Sequence, residues 1–516
     1  MKKISIIITL LMVSIFLISC NQEMFPTIID TTDYTEEIES LALEIEQLIP
    51  NTINANFDLP TYDQYDIVYT LGDQSFTDEY VYNSPFFDID QEFKYQITRG
   101  QASLQFSKDV RHLSYESGQN FTKMYIDLTI PIGHISKDHY TPADVTVRTT
   151  KNGEEVVEHS TTEAQLRGRG NSTWYSFDKK PYRLRFDKNT SILGMPEAKS
   201  YVLLTEYSDK SLMRNAITHK MSTFFQNIPY HLQIRYVELY VNQEYRGLYV
   251  LTEQVQVHPN KYFIESVPGS FNTGYFLEMD WRLMDSGTQP GFDWFRVSGI
   301  PYEINEPDAN DPAYTTAHVT YISQYIADVE NALIAKSGYE ALIDVDNFVE
   351  HFLIHEFVKN VDVGWSSVFM AKERDEKLLY PMIWDFDLAI GNADYIDYGP
   401  ENFYGFASNK NRLFHLMMQV PEIRLRFRDR FNDFYFDELP ILLEMIPVLS
   451  ASLNTQVQAN FTKWNILNHY VWPNPPEMLV ENTHDGQVQY VIGFLNARAA
   501  WMLEAMLTED YENGVF

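Results

Sequence analysis

One cysteine, Cys20, stands among 516 residues. No disulfide can form within the chain, so stability must come from a packed core. Basic residues are scarce as well: 39 Lys and Arg face 72 Asp and Glu, a formal net charge of −33. So acidic a chain lacks the basic surface that nucleic-acid phosphates require, which argues against a nucleic-acid partner. It favours basic or metal-bridged partners. Beyond residue 18 no apolar run is long enough to span a bilayer, and there is neither an internal repeat nor a long low-complexity segment. Hydrophobic residues are plentiful, at 45% with 15% aromatic, and exclude a largely disordered chain. The length suits about three units, or one large domain with an appendage.

The lone cysteine gains meaning from what precedes it. Met1-Lys2-Lys3 is a positive start, and residues 4–18 form an apolar stretch of signal-peptide length. Leu17-Ile18-Ser19-Cys20 then matches a bacterial lipoprotein box. The expectation is a signal peptide over 1–20, cleavage before Cys20, and lipid on Cys20. The protein would then sit on the extracytoplasmic face of the cell membrane.

Residues 21–54 read as a tether with a short helix over 36–49, stopped by Pro50 and Asn51. Residues 55–118 carry short alternating runs at 65–70, 86–89 and 93–97, separated by Gly, Asn, Asp and Pro. They predict a small β-sandwich of immunoglobulin-like type that serves as a spacer. A larger domain follows over 119–510. It begins with strands: 123–132, then 145–147 and a hairpin turn at Asn152-Gly153. Strand patterning persists to about 280, with one helix over 211–225. After 315, apolar spacing predicts helices over 315–337, 346–360, 411–438, 440–455 and 486–508. Strands first and helices later predict an α+β, bilobal body with a cleft between its lobes.

Three segments carry chemistry. In Leu166-Arg167-Gly168-Arg169-Gly170-Asn171, the glycines permit close backbone approach to a ligand, and the arginines could reach oxyanions. A plain hairpin turn would look similar. Lys179-Lys180-Pro181-Tyr182-Arg183 opens a strand with alternating basic and apolar positions, placing a lysine beside the glycine loop; a solvated strand face has the same pattern. Glu253 ends the apolar run Leu248 to Thr252, so it needs a partner, with a lysine of the previous strand the obvious choice.

The third segment is the densest. An amphipathic helix over 346–360 runs into Asn360-Val361-Asp362, and Trp384-Asp385-Phe386-Asp387 follows a short hairpin. His351 and His355 lie one helical turn apart, but no third ligand accompanies them, which favours core histidines over zinc ligands. Asp385 and Asp387 share one face of an extended segment, with Phe386 turned to the core. Two carboxylates so close beside apolar residues need a cation. Magnesium with phosphate oxygens meets that need. A structural turn with capping acids is the alternative.

With these pieces in order, RGRGNSTW, KKPYRLRF, LGMPEAKSYVLL, SDKSLMRNAITHKM, ELYVNQEYRGLYVLTEQV, GYFLEMD, KNVDVGWSSVFM and WDFDLAIGN, the chain resembles the CotH family of spore-coat and cell-surface atypical protein kinases. The resemblance spans about residues 120–508. It implies a kinase-like fold that transfers the γ-phosphate of ATP, with Mg²⁺, to Ser or Thr hydroxyls of a basic, Ser-rich protein segment. Asp362 resembles the aspartate that orients the acceptor hydroxyl, and Asp385 the metal-binding aspartate. Arg167, Gly168, Arg169, Gly170 and Lys179 resemble a nucleotide clamp, with Lys180 as its catalytic lysine and Glu253 beside it. Residues 274–280 lie where the hinge should be. One departure is Ser367, which stands five positions after Asp362 where kinases carry a metal-binding Asn. Asp387 or Asn392 could fill that role. Two rival readings are a catalytically silent surface adhesion lipoprotein and an AMP transferase on the same fold.

Overall fold

The computed structural model describes residues 34–53, 56–72, 74–80, 89–113, 122–151, 154–267, 269–405 and 411–516. The lipoprotein box, Cys20, the start of the expected strand at 86–89 and the turn at 152–153 fall outside them. None of the described helices is long and apolar enough to cross a membrane. The chain divides into two compact units, at Ser117/Gly118.

The first unit is built on a five-stranded sheet. Its strands are β1 (Thr52–Ile53), β3 (Asp66–Leu71), β4 (Gln74–Phe76), β6 (Ile89–Arg99) and β7 (Ala102–His112), in the order β1-β7-β6-β3-β4. A two-stranded ribbon, β2 (Phe57–Asp58) with β5 (Glu79–Tyr80), accompanies it. Alternation in β6 turns Phe93, Tyr95 and Ile97 inward. Helix α1 (Thr35–Leu48) supplies Ile38, Leu41, Ala42 and Ile45 to the same core. Tyr95 Oη donates to Ala42 O at 3.1 Å, which pins helix to sheet. Among the described residues, the five-stranded sheet, the two-stranded ribbon and α1 close one core together. The apolar stripe of α1 needs a partner and finds it on this sheet rather than lying in a tether.

The second unit is mixed α+β. Seven strands close a barrel: β8 (Lys123–Leu128), β9 (Thr141–Lys151), β10 (Glu154–Gly168), β11 (Tyr182–Thr190), β12 (Ala198–Leu204), β13 (Ile234–Val241) and β14 (Glu244–Glu253). Their order is β10-β11-β12-β14-β13-β8-β9, with β9 pairing back to β10. Inward residues such as Val145, Leu166, Leu184 and Leu239 are fully buried. Short α2 (Ser172–Ser176) links β10 to β11, and α3 (Arg214–Ser222) links β12 to β13.

A second sheet follows, made of β15 (Tyr275–Met279), β16 (Trp294–Val297), β17 (Ile300–Glu306), β18 (Val368–Lys372) and β19 (Leu378–Leu379). Helices α4 (Thr316–Ala335) and α5 (Val345–Phe357) lie between β17 and β18 in the chain. Then come α6 (Arg412–Met418), α7 (Pro421–Asp433), α8 (Leu439–Ser452), α9 (Asn454–Lys463), α10 (Glu477–Val480), α11 (His484–Ala505) and α12 (Glu509–Asn513). The single helix expected over 411–438 is broken before Pro421, where proline takes the first position of a new helix.

Among the described residues of this unit three ion pairs have both side chains buried, and two of them tie its segments together. Arg214 and Asp209 are both fully buried and paired at 2.5 Å, as are Arg498 and Glu356 at 2.7 Å. Arg214 also donates to Ala389 O and Ile390 O, so α3 holds the segment after Asp387. Arg498 reaches from α11 to Pro400 O, Asn402 O and Glu356 O.

Candidate active site

A cleft of about 770 Å³ opens where the barrel, the second sheet and the helical segments meet. The ends of β10 and β12 bring Arg169 and Glu206 to it. The turn after α5 brings Asp362, and the stretch before Ala389 brings Asp385 and Asp387. Five carboxylates line it (Glu206, Glu278, Asp362, Asp385, Asp387), against three cations (Lys137, Arg169, Arg282).

The two principal aspartates are joined through Asn360. Its side chain accepts from Asp362 N at 3.0 Å and donates to Asp385 O at 3.4 Å. That amide bridges residues that the sequence separates by 23 positions. Ser367 Oγ donates to Asp385 Oδ2 at 3.3 Å, and Ser208 Oγ to Asp387 Oδ2 at 3.4 Å. Phe386 is buried between them, its ring against His355 at 5.1 Å and its N–H donating to Asn215 Oδ1 at 2.8 Å. Glu206, Ser367 and Asp385 all hold positive φ, at 48°, 64° and 70°. Non-glycine residues avoid that region at a cost of order 1 kcal/mol each, and the surrounding packing must hold them there.

The electrostatics follow from burial. Asp362 is pushed up to about 7 by loss of solvent and by Asp385, with Arg282 opposing. Asp387 is raised well above the usual carboxylate range by burial, then by Asp385 and Glu206. Glu206 is raised to about 8, by burial and Asp209. Arg169 is lowered by burial, with Asp385 and Asp387 resisting. None of the ion pairs among the described residues includes Glu206, Asp362, Asp385 or Asp387.

Of the residues singled out from sequence, the structure gathers Asp362, Asp385, Asp387, Arg169 and Gly170 around this cleft. It places the others elsewhere. Arg167 stacks over Tyr140, 4.8 Å from the ring centre, and donates to Lys137 O. Gly168 gives its N–H to Ser136 O, and a Cβ there would fall 2.4 Å from the Trp174 indole; this glycine serves packing rather than ligand approach. Lys179 is buried, its ammonium donating to Thr205 O, Leu248 O and Asn460 Oδ1, and burial lowers it to about 7. Lys180 lies over the Trp174 ring and donates to Trp174 O. Glu253 pairs with Lys261, Tyr230 Oη and Gln233 N, not with a lysine of β11 or its approach. Lysines flanking a barrel strand are drawn to whichever carbonyls the barrel leaves unpaired, which spacing alone does not reveal.

His351 and His355 are core residues: His351 stacks on Tyr380 at 4.2 Å, and burial lowers His355 to about 3. Asn392 is also occupied. It donates to Ser208 O and Asp387 O and accepts from Asn474, so it braces the loop. Sequence reasoning missed Glu206, Lys137 and Arg282. Glu206 ends the apolar run of β12 as Glu253 ends that of β14, and that signal was there to use.

The fold and cleft define a mixed α+β protein with a deep acidic site edged by arginine and lysine. A family model described as CotH kinase protein matches residues 166–502, most of the chain, and the protein belongs to that family. The comparison with curated proteins found no match.

Proposed function

We propose that this is a membrane-anchored surface protein that transfers the γ-phosphate of ATP to Ser or Thr hydroxyls of a protein substrate. The observation that carries the reading is the convergence of Asp362, Asp385 and Asp387 with Arg169 on one cleft. Family membership supports a kinase-like activity. The strand-rich part before the cleft and the helical part after it correspond, in this reading, to the two lobes of a kinase.

The donor set suits Mg²⁺. That ion takes one or two carboxylates and fills its remaining positions with water and substrate phosphates. Among the described residues no group of three or more His, Cys, Asp or Glu side chains meets in metal-binding geometry, so an all-protein cage is not the arrangement. Asp385 and Asp387 would hold the ion, which when bound would offset charge on the phosphates. Arg169 keeps the nucleotide-clamp role expected of it, and Lys137 takes the part expected of Lys179 and Lys180. Asp362, held near 7, accepts the proton of the acceptor hydroxyl as it attacks. Ser367, bonded to Asp385, orients that carboxylate. The tether is the lipid expected on Cys20, at the extracytoplasmic face, and the acidic exterior favours a basic acceptor segment.

The test is incubation of the chain lacking residues 1–33 with Mg²⁺ and ATP labelled at the γ- or the α-phosphate. Protein-bound γ-label, lost in Asp362→Asn and Asp385→Asn, is expected. Transfer of α-label alone would replace this reading with AMP transfer. No nucleotide binding at all would leave a surface adhesion protein.

A further inference from the structure

We infer that Glu206 and Asp387 form a second divalent-cation site in the cleft, across from Asp385. It rests on the phosphoryl-transfer reading for its purpose but not for its chemistry. Glu206 follows β12, is 3% exposed and lines the cleft. Its Oε1 accepts from Asn215 Nδ2 at 3.0 Å, while its Oε2 is buried with no hydrogen-bond partner among the described residues. An unsatisfied buried carboxylate oxygen is costly, and such groups are retained where something binds them.

Among the described residues nothing answers that oxygen. Lys179 is the nearby cation, but its ammonium is saturated by three acceptors. Arg169 faces Trp384, 5.6 Å from the ring centre. A hard divalent ion provides the missing charge and accepts oxygen ligands. The geometry prepares its other partners. Asn215 ties Glu206 to the Phe386 N–H, fixing it against the segment that carries Asp387. Ser208, two residues along, touches Asp387 through its hydroxyl and gives its carbonyl to Asn392 and Asn474. Glu206, Asp387 and Ser208 all line the cleft, and the Ser208 hydroxyl reaches from the Glu206 segment to Asp387. Ser367, by contrast, gives its hydroxyl to Asp385. The second ion would thus be held from the β12 side rather than from the position after Asp362.

The experiment is a Mn²⁺ titration of the full chain in detergent, metal alone, with free Mn²⁺ read by electron paramagnetic resonance. Wild type is expected to bind two ions. Glu206→Gln, nearly isosteric, should bind one, or its weaker site should weaken at least about tenfold. Glu206→Asp should keep both sites with lower affinity, and it serves if the Gln variant fails to fold. Equal stoichiometry and affinity in wild type and Glu206→Gln overturn the inference, as does a wild type that binds one ion yet transfers phosphate. Two ions bound without any phosphate transfer would remove the kinase reading and leave this site standing.

Discussion

Replacing Arg498 by Met should unsettle both the helical part and the cleft. Its guanidinium is fully buried and makes hydrogen bonds to Pro400 O, Asn402 O, Glu356 O and Glu356 Oε1. Glu356 in turn accepts from Tyr404 N and Gly405 N, both at 2.7 Å, and Tyr404 Oη donates to Val361 O beside Asp362. Methionine fills much of the volume but leaves a buried carboxylate without its cation. Removing one partner of such a pair costs about 3–5 kcal/mol. At ~2.1 cal/mol/K per residue over roughly 400 residues, the unfolding entropy is about 0.8 kcal/mol/K. The melting temperature should therefore fall by about 4–6 °C. Urea denaturation of wild type, Arg498→Met, Glu356→Gln and the double variant gives the coupling directly. The double variant should be more stable than the sum of the singles implies, by roughly 2 kcal/mol or more. Costs that simply add, or a single-variant cost under about 1 kcal/mol, would refute the reasoning.

Three further outcomes are expected. Gly168→Ala should cost about 1–3 kcal/mol, because the new methyl meets the Trp174 ring; unchanged stability would mean that the ring is free to move. Lys180→Ala should leave nucleotide affinity within about twofold, since its ammonium belongs to Trp174 O, whereas Lys179→Met should lower stability by stranding buried carbonyls. A larger affinity loss in Lys180→Ala would return that lysine to the cleft. The pH dependence has a fixed sign. Asp362 and Glu206 sit near 7 and 8 when folded, above an ordinary carboxylate, so the metal-free native state binds more protons than the unfolded chain in between. Their stabilising contribution is whole below about pH 4.5 and is lost as pH rises through about 8. Melting at several pH values should show a decline that Mg²⁺ flattens and Glu206→Gln reduces; a slope indifferent to both would refute it.

The cleft also explains where strain is tolerated. Glu206, Ser367 and Asp385 adopt left-handed backbone, and each is held by neighbours: Asn215 at Glu206, and Asn360 and Ser367 at Asp385. Such positions persist where the fold over-determines them, which is common at reacting centres.

By itself the chain of residues determined a good deal. The strand-then-helix order, the inward alternation of Phe93, Tyr95 and Ile97, and the apolar stripes of α4, α5 and α11 were all legible, because period-2 and period-3.6 patterns are local. The pair Asp385 and Asp387 was legible as acids that call for a cation, since burial beside apolar residues is costly wherever they fold, and Asp362 as an acid at the exit of α5. Tertiary structure alone decided the rest. It made a closed barrel of the early strands, set α1 on the first unit's sheet, and drew Lys179, Lys180 and Arg167 to carbonyls and rings away from the cleft. It also brought Glu206 to Asp387, across a long stretch of chain. The reason is that hydrogen-bond partners of long side chains are chosen by closeness in space, which only closure of the barrel and packing of the helices create.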